Sequence, residues 1–212
     1  MYGREIKAGY GVRTVAVSVT FTMKAAITSL LLAVVVALSD ARMDALRHVS
    51  TGKCPSITNK QDLEVVPYLG TWYEIERFEA RFEEGMDCVH VQYSDLGEGV
   101  VEVHNMARTA EGEFADIVGT ATVLEPGVLL VVFPDGIPAE YHVLDTDYTN
   151  FSAVYNCEQL GELRYEFAWI LARHTTLDQD IYDHARKVFQ DNGIDVSHFQ
   201  STHQGEDCPY ST

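Results

Sequence analysis

The chain has 212 residues, of which 46% are hydrophobic, and its 32 acidic and 15 basic side chains give a formal net charge of −17. This length suits one domain with a sizeable core. A surface this acidic repels phosphate groups, so the composition argues against nucleic acid and anionic membranes as partners.

The first predicted element is a leader. Residues 25–38 are apolar and uncharged, Lys24 precedes them directly, and small residues follow. This pattern is typical of a secretory signal peptide, and the stretch is short for a membrane span. Met23 is a natural initiator for such a signal, which predicts an upstream extension at 1–22, a signal peptide at 23–41 and a folded domain at 42–212. We therefore expect a secreted, extracellular protein without a membrane span, whose mature chain begins between Asp40 and Val49.

Eight strand-like runs follow the leader, separated by turn residues, as is typical of an all-β barrel or sandwich. They cover 72–78, 88–93, 100–108, 114–124, 128–133, 140–144, 150–157 and 163–172. Each connection is short enough for an antiparallel hairpin. The simplest topology is therefore an up-and-down meander.

A helix is predicted after the last strand. Thr176 and Gln179 form a capping-box pattern at its start, and Gly193 follows its end. The run 128–133 in the fifth strand is apolar on both faces, so its outer face needs cover from this helix or from a second subunit. We favour the helix, because apolar residues recur along it at helical spacing and form a docking stripe: Ile181, Ala185, Val188 and Phe189.

Three short motifs occupy related positions in the meander. Gly70-Thr71-Trp72 begins the first strand, the turn at Asp145–Tyr148 follows the sixth, and Arg173 ends the eighth. Successive turns of a meander alternate between the two ends of a barrel, so all three motifs should meet at one end. We call this end the floor and the opposite end the mouth.

In order and spacing, the three motifs resemble the conserved regions of the lipocalins, which are barrels that carry one small apolar ligand. The motif sequences at 68–76, 146–148 and 167–173 most resemble those of the apolipoprotein D-like lipocalins. The resemblance extends from Cys54 to Cys208. It implies an all-β fold, an eight-stranded antiparallel up-and-down barrel with one C-terminal α-helix packed outside. It also implies a floor closed by an arginine across a tryptophan face, built here from Gly70, Trp72, Asp147, Tyr148 and Arg173.

The four cysteines all follow the leader. An even count in a secreted chain predicts two disulfides, and the residues alone leave three pairings open. No C-x-x-C pattern suggests zinc or a thioredoxin-like motif. The resemblance to the lipocalins implies the pairs Cys54–Cys157 and Cys88–Cys208. Asn150, in Asn150-Phe151-Ser152, is a candidate glycosylation acceptor.

The predicted ligand wall is aromatic. On the eighth strand the odd positions, Phe167 and Trp169 among them, share a face that should look inward because the other face carries charges. In the lipocalins the position of Trp169 lines the cavity. The resemblance places further residues on the same inner wall: Tyr93, Asn105, Phe133 and Tyr141. A wall with several aromatic and few polar groups favours a small-molecule pocket over a filled core.

Catalysis is not expected. The sequence contains no G-x-S-x-G, H-E-x-x-H or glycine-rich phosphate loop. The nearest enzymatic precedent, the lipocalin-fold prostaglandin synthase, needs a free cysteine, whereas here every cysteine has a disulfide partner available. Asp145 and Asp147 resemble an acid–base pair, but a turn also favours aspartate for local hydrogen bonds. The histidines are scattered, with His198 and His203 the nearest pair, so we expect neither a catalytic residue, a metal site nor a cofactor.

The sequence therefore predicts a secreted carrier that binds and transports a small hydrophobic ligand, such as a lipid, fatty acid or steroid, in the barrel cavity. The alternative is a pigment-binding subunit of an oligomer for a carotenoid or bilin, as in crustacyanin or insecticyanin. A lipocalin-type enzyme ranks third. We expect a monomer or homodimer for the carrier and a hetero-oligomer for the pigment-binding alternative.

Overall fold

A computed structural model describes residues 49–134 and 136–210, and the predicted leader therefore lies outside the described residues. Across this part of the chain, none of the helices has the length and apolar character needed to cross a membrane. The strands are β1 Val49–Thr51, β2 Gly70–Phe78, β3 Asp87–Gly97, β4 Val100–Arg108, β5 Phe114–Glu125, β6 Val128–Val132, β7 Ala139–Thr146, β8 Phe151–Leu160, β9 Leu163–Ala172 and β10 Phe199–Ser201. The helices are α1 Val65–Tyr68 and α2 Gln179–Asp191, with 3-10 turns η1 Arg81–Glu83 and η2 Val196–His198.

Strands β2 to β9 form a closed antiparallel barrel. Each pairs with the next strand along the chain, and β9 returns to pair with β2. Consecutive pairing is the up-and-down meander that the short connections predict. The predicted eight-stranded barrel is therefore confirmed, with its first strand at β2 and its eighth at β9.

Two short strands and one short helix were not predicted. β1 pairs with the mouth end of β9, and β10 pairs with β2 between Glu76 and Phe78. β3 pairs with β2 nearer the floor, over Gly70–Tyr73. β10 thus supplies hydrogen bonds to the part of β2 from which β3 has diverged. Three-residue strands leave almost no periodic signal in a sequence.

The C-terminal helix α2 packs outside the barrel, as predicted, but its start differs. Asp178 is the N-cap residue, and its carbonyl accepts from the backbone amides of Ile181 and Tyr182. Its first turn therefore begins after Asp178, too late for Thr176 to cap it, and the predicted capping box is wrong. The end agrees with the prediction, because Gly193 adopts a positive φ of 72° immediately after the C-cap Asn192.

Helix α2 covers β7, β8 and β9 instead of the predicted strand at 128–133. Its buried Ala185 and Phe189 pack with Tyr155 of β8 and Ile170 of β9 in one core cluster. A helix is about 10 Å wide and strands lie about 4.8 Å apart, so one helix covers only two or three of them. On β6, Val132 remains 37% exposed on the outer face, and the prediction that the helix covers this strand is wrong.

A second core cluster fills the floor half of the barrel. It contains Trp72, Val103 and Leu171 among its buried residues, with Trp169 packed against it. The inward-facing side of β9 is therefore the one that carries Trp169 and Leu171, as the strand alternation predicted. The opposite side is also buried, because Ala168 and Ile170 lie beneath α2.

Both disulfides join the pairs that the lipocalin resemblance implies. Cys54 is bonded to Cys157 on β8, and Cys88 at the start of β3 is bonded to Cys208. No free cysteine is found among the described residues. Each bridge fastens a segment outside the barrel, one before it and one after it, to a barrel strand.

Candidate functional site

The floor is closed by Arg173 packed on Trp72. The guanidinium carbon lies 3.7 Å from the centroid of the indole ring, and the indole is fully buried. Arg173 also donates to three backbone carbonyls that come from separate segments: Nη1 to Thr71 (2.8 Å), Nη2 to Pro67 (2.8 Å) and Nε to Tyr148 (2.9 Å). One side chain therefore ties α1, β2 and the β7–β8 turn together.

The glycine of the first motif is required by this arrangement. Gly70 has φ = 94°, a conformation that favours glycine. A Cβ atom there would also lie 3.4 Å from Nη1 of Arg173. Gly70 thus allows the chain to turn into β2 while the guanidinium passes close by.

Asp147 organises the β7–β8 turn. Its Oδ1 accepts from the backbone amides of Thr149, Asn150 and Phe151, and its Oδ2 accepts from Nδ2 of Asn150 at 2.6 Å. Burial raises the pKa of Asp147, but the hydrogen bonds from Asn150 and its neighbours outweigh burial, and the net shift is downward. The candidate glycosylation acceptor Asn150 is thus part of the floor turn.

The predicted acid–base pair is divided between two sets of contacts. Asp145 lies 3.4 Å from Lys60 Nζ and 3.3 Å from Nε2 of His184, outside the barrel. Asp147 accepts hydrogen bonds within the β7–β8 turn. The two carboxylates therefore have different partners and serve local structure.

Above the floor, three tyrosine hydroxyls form a chain inside the barrel. The hydroxyl of Tyr141 lies 2.9 Å from that of Tyr93 and 3.2 Å from that of Tyr68, which in turn lies 2.8 Å from Oγ of Ser152. Burial raises the pKa of Tyr68 to about 12, and it also raises the pKa values of Tyr93 and Tyr141, so the phenols stay protonated at neutral pH. These hydroxyls satisfy one another, which lowers the cost of an apolar interior.

Nearer the mouth, the wall is made of stacked rings. The Trp169 indole lies 6.1 Å from the ring of Phe167 and 6.4 Å from that of Tyr141, both in near-parallel orientation. Phe82, on the β2–β3 loop, lies 5.7 Å from Phe167. Unlike Trp72, Trp169 is only half-buried.

The remaining predicted wall residues lie on the same inner surface. Phe133 is half-buried and packs against the interior cluster, and Gly119 on β5 makes room for its ring, since a Cβ there would lie 2.6 Å from Cδ1 of Phe133. Asn105 follows Val101 and Val103 at alternate positions of β4, and both valines belong to that cluster. The structure thus brings the six predicted wall residues to one inner surface.

A polar cluster at the mouth was not anticipated. Glu74 and Arg77 of β2 and Glu83 of η1 form it, with side chains 3%, 12% and 13% exposed. Burial, followed by the nearby charge of Glu74, raises the pKa of Glu83 to about 8. Strand alternation puts residues 74 and 77 on opposite faces, and the irregularity in the β2–β9 pairing between Glu74 and Glu76 brings them together. No pattern in the sequence predicts such a bulge.

Two other features, both outside the barrel, are weaker candidates for a ligand site. His203, Asp207 and Cys208 cluster near the C-terminus, but the sulfur of Cys208 is already in a disulfide. A cleft of about 310 Å³ near β10 is lined in part by Glu166. That carboxylate already accepts from Tyr155 and Arg164, so neither feature presents an apolar site.

Comparison with known proteins agrees with this geometry. Residues 63–204 match the family model described as a lipocalin-like domain. Apolipoprotein D of Mus musculus is 37% identical over 163 residues, which cover 74% of this chain and 85% of that protein. The crustacyanin-A1 subunit of Homarus gammarus is 26% identical over 177 residues, covering 77% of this chain and 94% of that subunit.

A solved structure gives the same fold. Lobster apocrustacyanin A1 superposes with a TM-score of 0.71 at 22% identity, covering 77% of this chain and 94% of that one. The span that matches the family model, residues 63–204, includes the floor, the aromatic wall and the mouth cluster. The chain therefore belongs to the lipocalin family, whose members bind small hydrophobic ligands.

Proposed function

We propose that this protein is a secreted carrier that binds one small hydrophobic ligand inside the barrel and does not transform it. The observation that supports the proposal is that the two ends of the barrel differ. Trp72 and Arg173 seal the floor, whereas the half-buried indole of Trp169 stands among stacked rings near the mouth. An aromatic wall above a sealed end is the arrangement of an apolar pocket.

Burial of apolar surface would supply the affinity. A ligand that buries about ten methylene groups gains about 8 kcal/mol at roughly 0.8 kcal/mol each, before the cost of immobilising it. That is enough for micromolar binding without any charge pairing. The proposed wall consists of Tyr93, Asn105, Phe133, Tyr141, Phe167 and Trp169.

Fluorescence of the two tryptophans tests the proposal. The Trp72→Phe variant leaves Trp169 as the remaining tryptophan, and its emission should be quenched saturably by at least one of a fatty acid, a steroid, a retinoid or a bilin. Trp169→Ala should weaken the same binding, by displacement assay, while the fold persists in circular dichroism. Absence of binding for every class, in native and delipidated protein alike, would refute the carrier. Consumption of the ligand during the titration would instead favour an enzyme.

Secretion is the second part of the proposal. Two disulfides in the described residues suit an oxidising compartment, and the apolar stretch at 25–38 suits a cleaved signal. N-terminal sequencing of the exported protein should find a first residue between Asp40 and Val49. Recovery of the full-length chain in a membrane fraction would overturn this part.

A pigment-binding subunit is the second candidate, and two observations favour it. One relative is a crustacyanin subunit, and Val132 on the outer face of β6 is 37% exposed, so that a second subunit has apolar surface to cover there. Native purification followed by an absorption spectrum separates the candidates, because a bound carotenoid or bilin absorbs visible light. A colourless monomer would exclude this candidate.

A further inference from the structure

The mouth cluster, Glu74, Arg77 and Glu83, fastens the β2–β3 loop to the barrel. Nη2 of Arg77 donates to the backbone carbonyls of Glu83 and Met86, both at 2.9 Å. Nη1 donates to Oε1 of Glu74 at 2.5 Å and to Oγ1 of Thr202 at 3.1 Å. The loop is therefore held by a buried arginine that joins β2, η1 and the C-terminal segment.

Arg77 donates four of its five N–H groups to the protein. Both terminal nitrogens of the guanidinium are engaged twice, and Nε faces Oε2 of Glu83 at 3.8 Å. A guanidinium has five N–H donors, so four of them are used in hydrogen bonds and the fifth lies beside the Glu83 carboxyl. The mouth cluster thus contains two carboxyl groups and one cation that is already paired.

Glu83 is the member of the cluster that reaches the proposed ligand wall. Its Oε2 accepts from Nε1 of Trp169 at 3.4 Å. Phe82, the preceding residue, contacts Phe167 on the same wall. A ligand stacked on Trp169 with one end at the mouth would meet the Glu83 carboxyl first.

We infer that Glu83 determines head-group specificity, so that the barrel selects ligands ending in an uncharged hydrogen-bonding group, such as a hydroxyl, against ligands ending in a carboxylate. The inference rests on the proposed carrier function. A buried carboxylate needs a cation or several donors, and here it would meet two carboxyl groups and an arginine that already donates four of its five N–H groups to the protein. A hydroxyl needs one partner, which the Glu83 carboxyl provides.

The protonation of Glu83 agrees with this selection. Because burial raises the pKa of this carboxyl to about 8, Glu83 is largely neutral at pH 7 and both donates and accepts hydrogen bonds. Above pH 8 it gains a negative charge, which adds direct repulsion to the cost of burying a ligand carboxylate.

Matched ligand pairs test the inference. Retinol against retinoate, followed by quenching of Trp169 in the Trp72→Phe background, and dodecanol against dodecanoate, followed by calorimetry, differ only at the head group. At pH 7 we expect the alcohol of at least one pair to bind at least tenfold more tightly than the acid. Glu83→Lys should reduce that ratio at least tenfold, because a lysine can pair with the carboxylate.

Glu84→Lys is the matched control. Glu84 is the next residue of the same loop and is exposed, so this variant adds at least as much positive charge beside the mouth without entering the wall. It should leave the ratio within twofold of the wild type. Glu83→Gln, a neutral isostere, gives an independent measurement: the ratio should rise from pH 7 to pH 9 in the wild type and stay constant in this variant.

The outcomes separate the inference from the carrier proposal. If alcohol and acid bind equally, or if both lysine variants change the ratio alike, the inference is wrong and the carrier stands. A ratio that rises equally with pH in the wild type and in Glu83→Gln would also overturn it. If neither member of either pair binds the wild type, the carrier proposal fails for these ligands and the inference fails with it.

Discussion

The two ends of the barrel each contain one tryptophan, in opposite settings. At the floor, Trp72 is fully buried beneath Arg173, whose donors all end on backbone carbonyls. At the mouth, Trp169 is half-buried, and its N–H donates to a side-chain carboxyl on a loop. Backbone acceptors make the floor a fixed seal, whereas the acceptor at the mouth titrates and can be changed by one substitution. We therefore expect the Trp72–Arg173 pair to contribute to stability and the Glu83 carboxyl to contribute to ligand selectivity.

Truncation of the two tryptophans should separate the ends most clearly. Trp72→Ala should lower the free energy of unfolding by about 3–5 kcal/mol, as expected for removal of a fully buried large aromatic residue. Trp169→Ala should cost less than about 2 kcal/mol, because its ring is already partly exposed. Urea unfolding with the disulfides intact measures both values. Equal losses would show that the two ends do not differ in this way.

The disulfides should rank next. Cys88 begins β3 at the mouth, and Cys157 lies in the mouth half of β8. Replacing both cysteines of one bridge by serine should cost about 2–4 kcal/mol, since each bridge closes a loop of more than a hundred residues in the unfolded chain. Urea unfolding of each double-serine variant measures this cost. The floor cation–π contact should persist in both variants, which near-ultraviolet circular dichroism can report; its loss would contradict independent ends.

Arg173→Lys should have a smaller effect, about 1–3 kcal/mol. A lysine keeps the charge but cannot reach Thr71, Pro67 and Tyr148 together, because it lacks the planar fork. Thermal unfolding provides the measurement. Arg81→Lys is the control, since Arg81 is exposed at the mouth and should show almost no change. If Arg173→Lys leaves the thermal stability unchanged, a positive charge without the planar guanidinium is enough to hold the floor.

The smallest effect concerns pH. The pKa of Glu83 is about 8 in the folded protein against an ordinary value of 4.5, so the folded state holds a proton that the unfolded state releases between these values. Relative to Glu83→Gln, wild-type stability should therefore be highest below pH 4.5 and fall as pH rises to about 8. Opening of the loop to water should limit the fall to about 1–2 kcal/mol, or about one pKa unit. A difference that rises with pH would contradict a buried neutral carboxyl.

Much of the fold was predictable from local sequence. The bounds of β4 and β9 agree with the predicted strands, and the three motifs meet at the floor because turns in a meander alternate between ends. The helix start was not predictable in the same way. Thr176 satisfies a capping pattern, but it lies in a bend, and the backbone at Asp178 is still extended where α2 begins. The local pattern therefore did not fix the residue at which the helix begins.

By itself, the sequence determined the number of barrel strands, the sealed floor and the aromatic face of β9, because each depends on periodicity or on a motif with fixed spacing. Only the tertiary structure decided which outer surface α2 covers and where the mouth cluster forms. Glu74, Arg77 and Glu83 meet through a strand irregularity and a loop turn. Their shared burial, which raises the pKa of Glu83, arises from distant segments packed around them, and no short stretch of sequence encodes that environment.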